Sequence, residues 1–234
     1  MPTELTNIQL VAFDLDDTLY PEIEFVKSGF NAVALYLRNR FELKVDVYST
    51  LWDLFFEGER RETFNKTLQI LGLDYTEGLV KSLVQLYRMH VPIITLYPDA
   101  RDILETLYGR MKLGLITDGY LEVQKNKVRA LQVETYFDKC IFPDEKGKEA
   151  WKPSPWGYQK MMGHFSLRGE QCVYVGDNSL KDFAGAKSLG WKTFKIMRDN
   201  GLYSDIVVDE HHEADYIIRK LTELKSCFID IFRK

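Results

Sequence analysis

The chain reads as an α/β protein, a parallel sheet sandwiched by helices and interrupted once by a helical insertion. Three observations predict this. Short apolar runs recur along the chain, and helical patterns separate the later ones. The first run, Val11-Ala12-Phe13, ends abruptly in Asp14, Asp16 and Asp17. That ending suits the carboxyl edge of a parallel sheet, where such folds place their functional groups. From residue 22 to residue 91 there is no clear strand, while apolar residues recur at helical spacing.

The predicted strands cover residues 8–13, 113–116, 139–142, 172–175 and 193–196. Their alternation with helices implies right-handed crossovers and parallel pairing. Predicted core helices cover residues 99–110, 122–131, 154–165 and 179–189, the first and third placed by prolines near their starts and the last stopped by Gly190. Residues 214–232 read as a short strand, Tyr216-Ile217-Ile218, and a closing amphipathic helix. In the insertion, Val26, Phe30, Val33, Ala34, Leu37 and Phe41 form one helical stripe. Leu51, Leu54 and Phe55, then Phe64, Leu68 and Leu71, then Leu79, Leu83, Leu86 and Tyr87 form three more. Four such helices make a small bundle. The expected division is a core of residues 1–20 and 93–234 with a four-helix cap at 21–92, read as a hinged lid, because it begins just after the carboxylates, in preference to a rigid helical subdomain.

Composition narrows the function. Hydrophobic residues make up 45% of the 234-residue chain, enough for a packed core. The 31 basic and 35 acidic residues are interspersed, so no face suits nucleic acid or an anionic membrane. No apolar segment is long enough to span a bilayer, and no signal-peptide pattern opens the chain. Cys140, Cys172 and Cys227 lack metal or redox spacing, and Cys140 and Cys172 sit in apolar runs as expected of buried thiols. A cytoplasmic location in a reducing compartment is the expectation, with the chain a monomer or homodimer.

Four segments, all read as strand ends, carry chemistry: Asp14-Leu15-Asp16-Asp17-Thr18, Thr117-Asp118-Gly119, Trp151-Lys152-Pro153, and Gly176-Asp177 with Asp182 five residues further on. Singly, each has an ordinary explanation as a helix cap, a surface lysine or a turn. Crowded carboxylates repel, and a hard divalent cation such as Mg²⁺ relieves them. The first segment lacks the spacing and terminal Glu of a calcium-binding EF-hand loop.

In this order, the set resembles the haloacid dehalogenase-like hydrolase superfamily, and its phosphatase branch with a helical cap inserted after the first motif. The match spans nearly the whole chain. Asp14, Asp16 and Thr18 fit the first motif, Thr117 the second, Lys152 the third, and Gly176, Asp177 and Asp182 the fourth. The resemblance implies a Rossmann-like core and Mg²⁺-dependent hydrolysis of small phosphate monoesters. It makes Asp14 the nucleophile, forming an aspartyl-phosphate. It makes Asp16 the general acid and base, with a pKa raised toward neutrality or a proton taken up as substrate binds. The implied metal ligands are Asp14, Asp177 and the backbone carbonyl of Asp16, with Asp182 orienting Lys152 or metal waters. Thr117 and Lys152, with backbone N–H groups near Asp118 and Gly119, would bind the phosphoryl oxygens. Asp17 is expected to cap the turn or face away.

Three rivals share the scaffold. A 2-haloacid dehalogenase generally lacks the second Asp, which is present here. A β-phosphoglucomutase-like phosphomutase carries a His soon after the first motif, where this chain has Pro21-Glu22-Ile23-Glu24-Phe25-Val26. A non-catalytic binding protein usually loses the nucleophile or the acid, and both remain. The implied partner is a sugar phosphate, a phosphoglycolate-like acid or a nucleoside monophosphate. Arg60 and Arg61 read as a solvated face or an anion contact. Trp52, Phe55 and Phe56 read as cap core or a base-stacking group, and Glu22 and Phe25 as entrance residues. His90 and His164 have no ligand spacing, and His211-His212 beside Asp209 reads as a surface feature.

Overall fold

The computed structural model describes residues 5–199 and 208–228. The chain divides into two compact units, Ile23–Ile94 and Met1–Glu22 with Thr95–Lys234.

Among the described residues, the second of these units is built on a six-stranded sheet. Its strands are β1 (Leu10–Phe13), β2 (Lys112–Ile116), β3 (Lys139–Ile141), β4 (Cys172–Gly176), β5 (Lys192–Ile196) and β6 (Tyr216–Ile218). They lie in the order β3-β2-β1-β4-β5-β6, and every pair is parallel. The strand order reverses at β1, so β1 is flanked by β2 and β4 and the crevice between them opens at the carboxyl ends. All four β1 residues and all five β4 residues are buried, which is why both read as continuous apolar runs rather than alternating ones. On one face Leu10, Ala12, Cys172 and Tyr174 pack with Tyr158 and Met161 of a helix and with Phe183 and Trp191. Cys172 and Cys227 are buried, whereas Cys140 is only half-buried, and all three are free thiols.

The helices differ from the expected ones at their ends. Helix Pro98–Leu107 stops before Gly109, which takes φ +71°. Helix Trp156–Phe165 starts two residues later than predicted, because Ser154 is used in a turn on the carbonyl of Trp151. The largest correction is at residues 179–189, where only Ala184–Lys187 is helical. Asn178 and Asp182 take over the local hydrogen bonds. Asn178 Oδ1 accepts from Leu180 N at 3.0 Å, and Asp182 Oδ2 accepts from Asn178 N at 2.9 Å. Side chains of this kind compete with helical bonding. After β6 the described part of the predicted closing helix starts as a 3₁₀ turn, Leu221–Glu223, followed by helix Leu224–Cys227, and Glu223 Oε1 accepts from the backbone N–H groups of Arg219 and Lys220 ahead of it. The last residues of that prediction lie outside the described ones.

The other unit is all helical. It takes in helix Glu22–Phe41 apart from its first residue, then Val47–Phe56, Thr63–Ile70 and Glu77–Met89. Its core gathers Val26, Phe30, Val33, Leu37, Val47, Leu51, Phe55, Leu68 and Leu83. Trp52 and Phe55 belong to this packing, with Phe30 edge-on to both. Phe56 is 77% exposed and stacks on Trp52. Phe25 packs against Tyr87 and His90 within the unit. Arg60 is exposed and lies 4.4 Å from the Phe55 ring centroid. No described helix is long and apolar enough to cross a membrane.

Candidate active site

Asp14 directly follows β1, and its N–H donates to the carbonyl of Val175 in β4 at 2.8 Å. The pairing therefore continues one residue past β1 and fixes the first carboxylate beside the β4 end. Thr117 follows β2, and its N–H donates to the carbonyl of Ile141 in β3 at 3.3 Å. Asp177 follows β4. Lys152 comes from the segment between β3 and the helix at Trp156. Gly119 makes the turn after Thr117 with φ +131°, a conformation other residues rarely adopt.

Lys152 is the hub. Its side chain is 1% exposed, and its Nζ donates to Asp14 Oδ1 at 2.7 Å and to Tyr174 Oη at 2.8 Å. It also lies 2.7 Å from Asp182 Oδ1. Its backbone N–H donates to Asp118 Oδ2 at 3.0 Å. The Asp118 carboxylate thus anchors the lysine loop through one oxygen, while its Oδ1 is buried with no hydrogen-bond partner among the described residues. Asp182 uses both oxygens, one on Lys152 and one on the N–H of Asn178. Tyr158 Oη donates to the carbonyl of Asp182 at 2.6 Å.

Carboxylate oxygens of Asp14, Asp177 and Asp182 lie within 4.8 Å of one another, all in buried residues. Burial pushes the Asp14 carboxyl up; the Lys152 ammonium pulls it down and Asp182 pushes it up again, to about 6. Burial, then the charges of Asp182 and Asp14, hold Asp177 well above the usual carboxylate range. Asp14 Oδ2 is buried and has no hydrogen-bond partner among the described residues. A hard divalent cation fits this donor set, because it would fill the open oxygen and offset the excess negative charge. Lys181, close by, is held above its ordinary pKa: burial and Lys152 push it down, but Asp14, Asp182 and Asp177 outweigh them.

Asp16 lies in different company. Its Oδ1 accepts from Lys127 Nζ at 2.7 Å and from Tyr20 Oη, and its Oδ2 accepts from Gln124 Nε2 at 2.8 Å. Burial raises its pKa, but the Lys127 charge and the hydrogen bonds from Lys127, Tyr20 and Gln124 bring it below the usual range. Of the two expected routes to a protonated Asp16, these neighbours favour uptake of the proton as substrate binds over a pKa raised beforehand, and the reason is Lys127. Asp17 takes φ +50° and its Oδ1 accepts from the N–H of Glu22 at 2.8 Å, so it caps the turn. Glu22 itself is pushed up to about 7 by burial and by the charge of Asp16.

Thus Asp14, Lys152, Asp177 and Asp182 come together, and Thr117 joins Asp16 through Gln124, whose Nε2 donates to Thr117 Oγ1 at 2.5 Å. Thr18 Oγ1 reaches Asp177 Oδ1 at 3.4 Å. Motif reading missed Tyr20, Gln124, Lys127 and Tyr174. The available signal was in helix Leu121–Leu131, where Gln124 and Lys127 share the inward stripe of Val123, Val128 and Leu131. Asp209, next to the paired histidines, accepts from the N–H groups of His211 and His212 and from His212 Nδ1, so it caps a surface turn.

The chain is similar to known proteins over most of its length. The family profile "Haloacid dehalogenase-like hydrolase" matches residues 11–196. A glyceraldehyde 3-phosphate phosphatase of Methanocaldococcus jannaschii is 31% identical, over 93% of this chain and 95% of that protein. A ribulose-1,5-bisphosphate 5-phosphatase of Halopiger xanaduensis is 26% identical, over 92% of this chain and 96% of that protein. The fold is shared with a magnesium-bound HAD-hydrolase of Bacillus subtilis, with a TM-score of 0.66 at 18% identity over 94% of this chain and 98% of that one. The chain belongs to the haloacid dehalogenase-like hydrolases, with the Rossmann-like core of that family.

Proposed function

We propose that this hydrolase is a Mg²⁺-dependent phosphatase of small phosphate monoesters, working through an aspartyl-phosphate on Asp14. The observation that carries the reading is the setting of Asp14, with Oδ1 held by Lys152 and Oδ2 buried and open beside Asp177. The relatives' named substrates, glyceraldehyde 3-phosphate and ribulose bisphosphate, are small phosphorylated metabolites and define where to look first.

In this reading Asp14 attacks phosphorus and the ester P–O bond breaks. Asp16 gives its proton to the departing alkoxide, then accepts one from the water that hydrolyses the aspartyl-phosphate. Because Lys127 favours the Asp16 carboxylate, the proton is taken up as the phosphoryl dianion arrives. Lys152, the Thr117 hydroxyl and backbone N–H groups near Gly119 meet the phosphoryl oxygens. Mg²⁺, held by Asp14, Asp177 and the Asp16 carbonyl, would supply charge to offset repulsion between nucleophile and phosphate. Asp182, with both oxygens engaged, orients Lys152. The helical unit is proposed as the selector of the leaving group, since the chain enters it directly after the Asp16 loop.

The test is hydrolysis of p-nitrophenyl phosphate with Mg²⁺ by the wild type and by Asp14→Asn, followed by a panel of sugar phosphates, phosphoglycolate and nucleoside monophosphates. Turnover that survives in Asp14→Asn, or a wild type silent across the panel, would sink the proposal.

A further inference from the structure

We propose that Lys127 and Gln124, which lie outside the four motifs, position the acid Asp16 and tie it to the phosphate-binding hydroxyl of Thr117. The inference rests on the phosphatase reading above and names how its leaving-group acid is controlled.

Both residues sit on the inward side of helix Leu121–Leu131, Gln124 at 1% exposure and Lys127 at 5%. Positions three apart share a helix face, so both reach the same point. Burying an amide and an ammonium is unfavourable unless they are paired, and apolar residues of similar size would hold the helix at least as well. What the polar pair adds is a fixed carboxylate. Asp16 Oδ1 accepts two hydrogen bonds, from Lys127 and Tyr20, which occupy both its lone pairs. Oδ2 accepts one, from Gln124, and keeps one lone pair open among the described residues. Oδ2 is therefore the oxygen left to carry the proton.

The same side-chain amide reaches Thr117 Oγ1 at 2.5 Å. A threonine hydroxyl has one hydrogen and two acceptor lone pairs, and Gln124 donates to one of those lone pairs. Its hydrogen is left to point at a phosphoryl oxygen. One amide thus aligns the acid and a phosphate donor together. Neither Gln124 nor Lys127 needs to touch the reacting atoms, so both are positioning residues.

The experiment compares kcat/KM for p-nitrophenyl phosphate, whose leaving group departs without an acid, with that for an alkyl phosphate such as glyceraldehyde 3-phosphate. This ratio reports phosphoryl transfer and not the later hydrolysis of the intermediate. Lys127→Met is expected to lose ~100-fold on the alkyl ester and under ~5-fold on the aryl ester. Lys127→Arg should restore most of the loss, and Gln124→Leu should lower both, the alkyl ester more. Equal losses on both esters, a rise in KM alone, or no loss would overturn the inference. If Lys127→Met does not fold, Lys127→Gln is read by the same ratio. A wild type that turns over neither ester refutes the phosphatase reading itself, and the inference with it.

Discussion

Asp14 and Asp16 stand two residues apart on one strand end, yet they occupy opposite environments. Burial pushes both carboxyls up. Around Asp14 the neighbours are one lysine and two more carboxylates, and its pKa settles at about 6. Around Asp16 they are a lysine, an amide and a phenol, and its pKa falls below the ordinary range. What separates the two is where their partners come from. The first draws on Lys152, Asp177 and Asp182 from the third and fourth motifs. The second draws on nearby Tyr20 and on a helix that carries no motif. Paired carboxylates whose surroundings push them apart are how one site divides its chemical tasks.

The largest effect should come from Asp14→Asn, with kcat on p-nitrophenyl phosphate falling ~10,000-fold or more and no phosphoryl-enzyme trapped in acid quench. Asp16→Asn should separate the two carboxylates most clearly. Its loss should be ~100-fold or more in kcat/KM on an alkyl phosphate but small on p-nitrophenyl phosphate. Identical profiles for these two variants would erase the comparison. Next comes the metal. EDTA should abolish turnover and Mg²⁺ restore it, and Asp177→Asn should raise the Mg²⁺ concentration for half-maximal rate by ~10-fold or more. The smallest kinetic change belongs to the third carboxylate of the run. Asp17→Ala should leave kcat within ~3-fold while lowering stability by about 1–2 kcal/mol in urea unfolding, because it loses a turn cap at positive φ.

Much of the fold was legible because a parallel sheet buried on both faces writes itself as apolar runs. Val11, Val173 and Phe194 needed no context to be read as strand. The ends of helices were less legible, since Asn178 and Asp182 fold a loop where apolar spacing alone suggested a helix. Asp14, Thr117 and Asp177 could be singled out because each sits at an abrupt change from apolar to polar sequence, Lys152 by the proline that follows it, and Asp182 by its spacing from Asp177. Gln124 and Lys127 were hidden because a polar residue in a helix is ordinary, and only the packing reveals that these two face inward. The counter-charge of Asp16 was not legible, because Lys127 stands 111 residues away. The helical unit carries no such abrupt boundary in its pattern. Its aromatic group resolved into packing for Trp52 and Phe55 and an exposed ring for Phe56.

Gly176 ends β4, and a methyl group added there would sit 2.5 Å from Asp182 Oδ2, with little room to spare. That carboxylate also holds Lys152 through its other oxygen. The strand end and the lysine are therefore geared together, with the missing side chain as the clearance between them. Gly176→Ala would transmit a small backbone change into the ammonium that faces Asp14, making this one position a mechanical adjustment screw for the nucleophile.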